Sequence, residues 1–289
     1  MLRSSTFLII MAGTLLIVPT PIGNLEDITL RALRVLREVD TIAAEDTRVT
    51  RKLLSHNDIH TPMVAYHQHS KGKRAEEILE MLQNDKNIAL VSDAGTPGIS
   101  DPGHELIALC IAENIKVEAL PGATAIITAL VASGLPTAHF SFDGFPPRKD
   151  SDRAAFFKSL KHETRTICLY EAPLRLRKTL ESIRKELGDR QVAVAREITK
   201  MFEEIFRGTV TQTLEYFAEK RILGEIVIVL EGASSEEVAE AQRPEISLEN
   251  RLRDLILSGI SERDAVRQCM IEFKYPKRQV YAAALKLKE

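Results

Sequence analysis

Tryptophan is absent from this 289-residue chain, cysteine occurs three times, and only 5% of the residues are aromatic. Cys110, Cys168 and Cys269 are far apart and form no CxxC pair. That excludes a disulfide framework and the usual zinc spacings, and buried thiols in a reduced, cytoplasmic setting fit best. Net charge is also nearly absent, with 39 Lys and Arg against 41 Asp and Glu and a sequence pI near 6.4. A globally basic nucleic-acid binder is thereby excluded, so any contact with a polyanion must come from local patches. The apolar stretch Phe7 to Val18 is twelve residues long, too short for a bilayer that needs about 20. It runs straight into a Gly/Pro loop, so residues 1–12 are expected to be a leader, with Met11 as an alternative start, and no membrane contact is expected.

Motif absences narrow the chemistry further. The loop after the first apolar run is not GxGxxG, and no GxxxxGK[ST] occurs anywhere, which argues against dinucleotide and P-loop sites. His56, His60, His67 and His69 match no metal-ligand spacing, so no metal is expected.

What the chain does have is a set of Gly/Pro-rich loops, each hanging from an apolar run. Pro19-Thr20-Pro21-Ile22-Gly23-Asn24 follows Thr14 to Val18, and Pro121-Gly122-Ala123-Thr124-Ala125 follows Ile115 to Leu120. The longest, Ser92 to Gly103, follows Ile88 to Val91, and five of its twelve residues are Gly or Pro. Such loops surrender side-chain packing and bring backbone donors to strand ends, where open α/β sheets bind ligands. Three loops of one kind imply one shared crevice for a small charged cofactor.

Apolar bursts alternate with helical periods from Thr14 to Ser133, which predicts a mostly parallel α/β domain over 13–138. Its first helix, Thr29 to Val39, is expected to bury Leu30, Leu33 and Leu36. A second α/β domain is expected over 139–232. Ser and Glu gather at Gly232 to Glu240 ahead of Arg243-Pro244, linker chemistry that covers 233–245. A small helix-turn-helix-like tail follows over 246–289, with helices at Leu248–Leu257, Glu262–Phe273 and Lys277–Leu287.

Five segments, in this order, resemble the tetrapyrrole methylase superfamily. They are Pro19 to Thr29, Ala44-Glu45-Asp46-Thr47-Arg48, Ser92 to Gly103, Pro121 to Ala125, and Arg196-Glu197-Ile198-Thr199-Lys200. The likeness covers about Leu15 to Gly232 and is closest to the branch that methylates small-subunit ribosomal RNA. It implies a two-domain class III methyltransferase fold with a helical C-terminal extension, S-adenosylmethionine as cofactor, and a homodimer. The implied reaction is 2′-O-methylation of a decoding-centre cytidine in 16S rRNA of the 30S subunit. Carried over by position, the cofactor site comprises Pro21 and Gly23, then Asp93, Gly95, Thr96, Pro97 and Ser100, then Ala123 and Thr124. Tyr170, Glu171 and Arg196 would close it from the second domain.

A sulfonium methyl is already activated, so the harder task is to deprotonate the acceptor hydroxyl. Asp46, Asp93, Asp101, Glu171, Glu197 and Lys200 are the candidate groups, and the sequence does not choose among them. RNA contact has two candidate patches. Arg148 to Lys178 holds nine Lys/Arg against four Asp/Glu, and Lys274, Lys277, Arg278, Lys286 and Lys288 face only Glu289 at the end of the tail. Two other functions stay open: a methylase acting on a tetrapyrrole ring, and a non-catalytic assembly factor that merely binds the cofactor.

Overall fold

The computed structural model describes residues 12–67, 72–241, 247–273, 275 and 277–286. All but the last residue of the expected leader, residues 242–245 of the expected linker, His69, and Lys274, Leu287 and Lys288 of the tail lie outside these. The first sheet contains β1 (Thr14–Ile17), β2 (Thr41–Ala44), β3 (Met63–Ala65), β4 (Ile88–Val91) and β5 (Lys116–Ala119). All are parallel, in the order β3-β2-β4-β1-β5. Every residue of β2 and β4 is buried, as expected for central strands covered on both faces, and so they read as unbroken runs instead of alternations.

The connecting helices are α1 (Leu30–Glu38), α2 (Thr47–His56), α3 (Lys73–Gln83), α4 (His104–Ala112) and α5 (Ala125–Ser133). Thr29 caps α1 by accepting from the Ala32 amide, and Asp46 caps α2 by accepting from the Arg48 amide. On α1 the expected buried face needs correction. Ala32, Val35 and Leu36 are buried and Leu33 packs against them, while Leu30 is 87% exposed. At about 100° per residue, Leu30 points away from the arc those residues share.

The second sheet is mixed. It contains β6 (Phe140–Phe142), β7 (Thr166–Glu171), β8 (Gln191–Arg196), β9 (Glu204–Thr209) and β10 (Ile226–Leu230), in the order β6-β7-β10-β8-β9. β6 and β7 are parallel, and the other neighbours are antiparallel. Helices α6 (Asp150–Ser159), α7 (Leu176–Leu187) and α8 (Val210–Tyr216) cover one face around Phe157, Leu180, Val194, Phe217 and Ile228. α5 covers the other face, with Ile126, Ala129 and Leu130 against Cys168, Ala193, Ala195, Val227 and Val229. A helix that closes the first half of the chain is thus the packing layer of the second, and it pins the two sheets together.

α9 (Ser235–Ala241) leads out of the second sheet. The tail is α10 (Leu248–Leu257), α11 (Glu262–Phe273) and α12 (Lys277–Lys286) around a core of its own that includes Leu252, Val266, Cys269, Phe273 and Val280. All three cysteines are buried free thiols. Among the described residues no helix is long and apolar enough to cross a membrane.

Candidate active site

The three Gly/Pro loops emerge from the C-terminal ends of adjacent strands β4, β1 and β5 and are tied to one another. The Thr20 amide donates to the Gly95 carbonyl at 2.9 Å and the Gly95 amide returns a bond to the Thr20 carbonyl at 3.1 Å. The Thr96 hydroxyl donates to the Ala123 carbonyl at 3.3 Å. Gly122 lies so close to Pro19 that a Cβ there would sit 2.4 Å from the proline ring, which is why that turn takes glycine. Gly95 holds φ +82°, a left-handed conformation open to glycine at no steric cost, and its missing Cβ would press on Ile22 at 3.3 Å.

These loops form one wall of a cavity of about 390 Å³, within the range of small-molecule sites. The opposite wall comes from the second sheet, at the ends of β7 and β8 and the start of β10, and includes Tyr170 to Pro173, Ile198 and Gly224 to Val227, with Phe145 from the loop after β6. A latch joins the walls. Gly23 abuts the loop after β8 so tightly that a Cβ would lie 2.4 Å from Cγ of Lys200. The Asn24 amide donates to the Thr199 hydroxyl at 3.2 Å. Thr199 itself sits at φ +65°, costly for a β-branched residue, and its amide is fixed by the Glu203 carboxylate at 2.7 Å.

The cavity wall is acidic. Burial pushes the Asp101 carboxyl up to about 6, helped by the neighbouring charges of Glu45, Asp93 and Glu225 and opposed by a hydrogen bond with Ser92. Burial likewise raises Asp93 and Glu45 above their ordinary values, although Asp93 accepts from the Asp46 amide and Glu45 from the Asp93 amide. The Tyr170 phenol is pushed up to about 12, first by burial and then by Asp101 and Glu225, so it stays neutral. Carboxylates gathered in a partly apolar cleft favour a ligand that carries positive charge.

Of the residues singled out in the sequence, Asp93, Gly95, Thr96, Ser100, Asp101, Thr124, Tyr170 and Glu171 line this cavity. Pro21, Gly23, Pro97, Ala123 and Arg196 are not among its lining residues. Arg196 pairs with Glu204 at 3.1 Å and donates to the Leu223 carbonyl, bracing two loop ends. Three of the six proton-acceptor candidates are also outside it. Asp46 is held down to about 2 by its hydrogen bonds from the Arg48 side chain and amide. Glu197 and Lys200 pair at 2.9 Å, and Lys200 also reaches Glu225 at 3.0 Å. Burial works against both charges, yet these bonds hold Glu197 low and Lys200 high, so the amine stays protonated. Glu171 lines the cavity, but its buried carboxylate is taken up by Thr179, Arg175 and the Ala172 amide.

Sequence reasoning missed Ile22, Ile198 and Gly224 to Val227. Ile22 and Ile198 read as ordinary apolar residues inside motifs, and the start of β10 reads only as a strand; nothing local marks either as cavity wall. Gly224 did carry a signal, at φ +89° with a Cβ position 2.3 Å from the Glu197 carboxylate, but only the pairing of two distant loops exposes it.

The chain is similar to several known proteins. The Tetrapyrrole (Corrin/Porphyrin) Methylases family model matches residues 14–213. A protein of Synechocystis sp. named ribosomal RNA small subunit methyltransferase I is 50% identical over 279 residues, covering 95% of this chain and 98% of that one. One of the same name from Thermotoga maritima is 49% identical over 220 residues, which is 76% of this chain and 99% of its own length. Among solved structures, uroporphyrin-III C-methyl transferase from Thermus thermophilus, complexed with S-adenyl homocysteine, has a TM-score of 0.53 at 19% identity. It covers 75% of this chain and 96% of that chain.

Proposed function

We propose, from the premise that this chain belongs to the tetrapyrrole methylase family and within it to the ribosomal RNA small subunit methyltransferase I group, that it methylates 16S rRNA of the 30S subunit with S-adenosylmethionine. The finer reading is transfer to the ribose 2′-hydroxyl of a decoding-centre cytidine, by a homodimer in the cytoplasm. One observation carries the methyl-transfer reading: an acid-walled cavity formed by three interlocked Gly/Pro loops on one side and the ends of the second sheet on the other; the finer reading rests on the resemblance of the motifs.

The residues present fit the cofactor. Asp93, Asp101, Glu45 and Glu225 crowd negative charge into a cleft whose described lining holds no lysine or arginine, Glu225 alone being paired from outside by Lys200, and a cationic sulfonium and ammonium would relieve that crowding. The Gly95 turn brings bare backbone to the same wall, where a side chain would fill the space. When bound, the cofactor supplies an electrophilic methyl group on sulfur.

Everything else falls to the chain. The loop from Asp93 to Ser100 binds and orients the cofactor, and the latch from Gly23 and Asn24 to Thr199 and Lys200 fixes the two walls that must hold the reactants in line. Orientation of this kind is worth on the order of 7 to 11 kcal/mol. Asp101 accepts the proton of the acceptor hydroxyl. It lines the cavity, is not taken up by an ion pair, and titrates at about 6, close to the working range in which a base contributes about 10² to 10⁴-fold. Asp93, whose carboxylate holds the Asp46 amide, orients the loop.

The test is incubation with methyl-labelled S-adenosylmethionine and 30S subunits lacking the modification, followed by mapping of the labelled nucleotide. Label on a cytidine ribose of the decoding centre is expected. Label on a base, on a protein or on a tetrapyrrole offered in parallel refutes the finer reading. Light scattering of the active enzyme tests the homodimer.

A further inference from the structure

Two large apolar side chains of the cavity wall reach into water, Ile99 at 44% and Phe145 at 53% exposure, and of these Phe145 carries an aromatic face. It sits at the mouth, on the loop after β6, and its position is well fixed. Its ring packs on Tyr170 with centroids 5.4 Å apart, and Tyr170 in turn meets Phe142 edge-on at 5.0 Å. The three rings form a row running from the packed interior beneath α5 to the open mouth. The backbone is pinned as well: the Tyr170 amide donates to the Gly144 carbonyl at 2.9 Å, Gly144 turns at φ +65°, and Arg175 holds the Pro146 carbonyl. Among the described residues, Phe145 and Tyr170 are the only aromatic ones in the wall.

Resting on the reading above, the acceptor ribose must enter a cleft of about 390 Å³, which no paired helix can do. Enzymes facing that problem take the target nucleotide out of its stack and give its base a new surface to lie on. We propose that Phe145 is that surface, a platform on which the base of the acceptor nucleotide stacks while its ribose reaches Asp101. Charge separates the two substrates at this spot. Arg148 and Lys149, three and four residues further on, are exposed and suit an RNA phosphate, whereas they disfavour a cationic cofactor.

The test is steady-state methylation of unmodified 30S subunits by Phe145→Trp, Phe145→Tyr, Phe145→Leu and Phe145→Ala. Trp and Tyr keep a π face, so kcat/KM for 30S stays within about threefold of wild type. Leu keeps apolar bulk without the face, and with Ala it lowers kcat/KM by about 5- to 100-fold, mainly through KM for 30S. Calorimetric affinity for S-adenosylmethionine and the mass in solution stay as in wild type. The proposal is overturned if Leu works as well as Phe, if cofactor affinity falls in step, which would make the ring part of the cofactor site, or if the mass changes, which would make it a subunit contact. Failure of the wild-type enzyme to label 30S at all would instead remove the functional reading on which the platform rests.

Discussion

The two walls of the cleft are built on opposite principles. The wall from the first sheet consists of loops whose conformations are written locally, in Gly95 at φ +82°, Gly98 at φ +85° and Gly103 at φ +144°, and in prolines that deny the chain a helix. The wall from the second sheet is made of ordinary residues at strand ends, Tyr170 and Glu171 on β7 and Ile226 and Val227 on β10, brought together because β7, β10 and β8 are neighbours. One wall is specified by backbone chemistry and the other by sheet topology. Damage to the first should therefore act at single residues, whereas damage to the second should act through packing.

The largest effect that sharpens this contrast is expected at Asp101. Asp101→Asn should lower kcat by about 10² to 10⁴-fold, with a smaller loss of cofactor affinity because Asp93, Glu45 and Glu225 remain in the acidic wall, as read by single-turnover labelling and calorimetry. In wild type, the rate should rise with pH through about 6 as the carboxyl ionises, and the variant should lose that limb. Stability should move the other way. Because the folded pKa lies above the ordinary value of 3.8, the stabilisation from neutral Asp101 is complete below about pH 4 and lost as pH rises through 6. Asp101→Asn should therefore melt higher than wild type at pH 8 but not at pH 4.

Next comes the loop itself. Gly95→Val meets both the left-handed φ and the 3.3 Å contact with Ile22, and should reduce cofactor affinity by more than about 100-fold with little change in the second sheet. A folded Gly95→Val protein that binds the cofactor normally would break the comparison on its first side. On the other side, Gly224→Ala forces a Cβ against the Glu197 carboxylate at φ +89°. It should cost about 1 to 3 kcal/mol of stability in denaturant titration and weaken cofactor binding only by loosening the Glu197, Lys200 and Glu225 brace.

The smallest effect concerns the tail, which shares a surface with neither wall through any packed cluster described. Lys277→Glu with Arg278→Glu should leave cofactor affinity unchanged. If these side chains touch phosphates, it should also lower 30S affinity and flatten its salt dependence by roughly 0.7 per lost single-strand contact. An unchanged salt slope would remove them as phosphate contacts. The first basic stretch is less available than its charge count implies. Arg153 is buried on Asp150 and Ser182, Arg165 pairs with Glu163, and Arg177 donates to the Phe217 and Lys220 carbonyls.

Legibility follows the same division. The strands of the first sheet, the three loops and the three tail helices were readable because apolar runs, Gly/Pro punctuation and helical periods are local signals. β9 and α8 were not. In Glu204–Thr209 every residue but one is half-buried, so no alternation stands out. The capping box of Thr209 and Gln212 that starts α8 is a weak signal without a strong apolar run behind it. Among site residues, Asp93, Gly95 and Asp101 were found through their loop. Lys200 and Glu197 were drawn in by the same kind of motif, yet their chemistry is spent on each other and on Glu225.

The sequence by itself determined which segments could only be tight loops at strand ends, since φ preferences and the lack of a proline N–H act within a residue or two. It also determined that no global basic field draws the chain to RNA. Only the tertiary structure decided which carboxylate would titrate at about 6. That depends on how many charges and how much apolar surface converge on Asp101 from Glu45, Asp93 and Glu225, residues separated by up to 180 positions in the chain. Low dielectric and like charge are properties of a neighbourhood, and this one exists only once the loops after β2 and β4 lie side by side and Glu225 arrives from the second sheet.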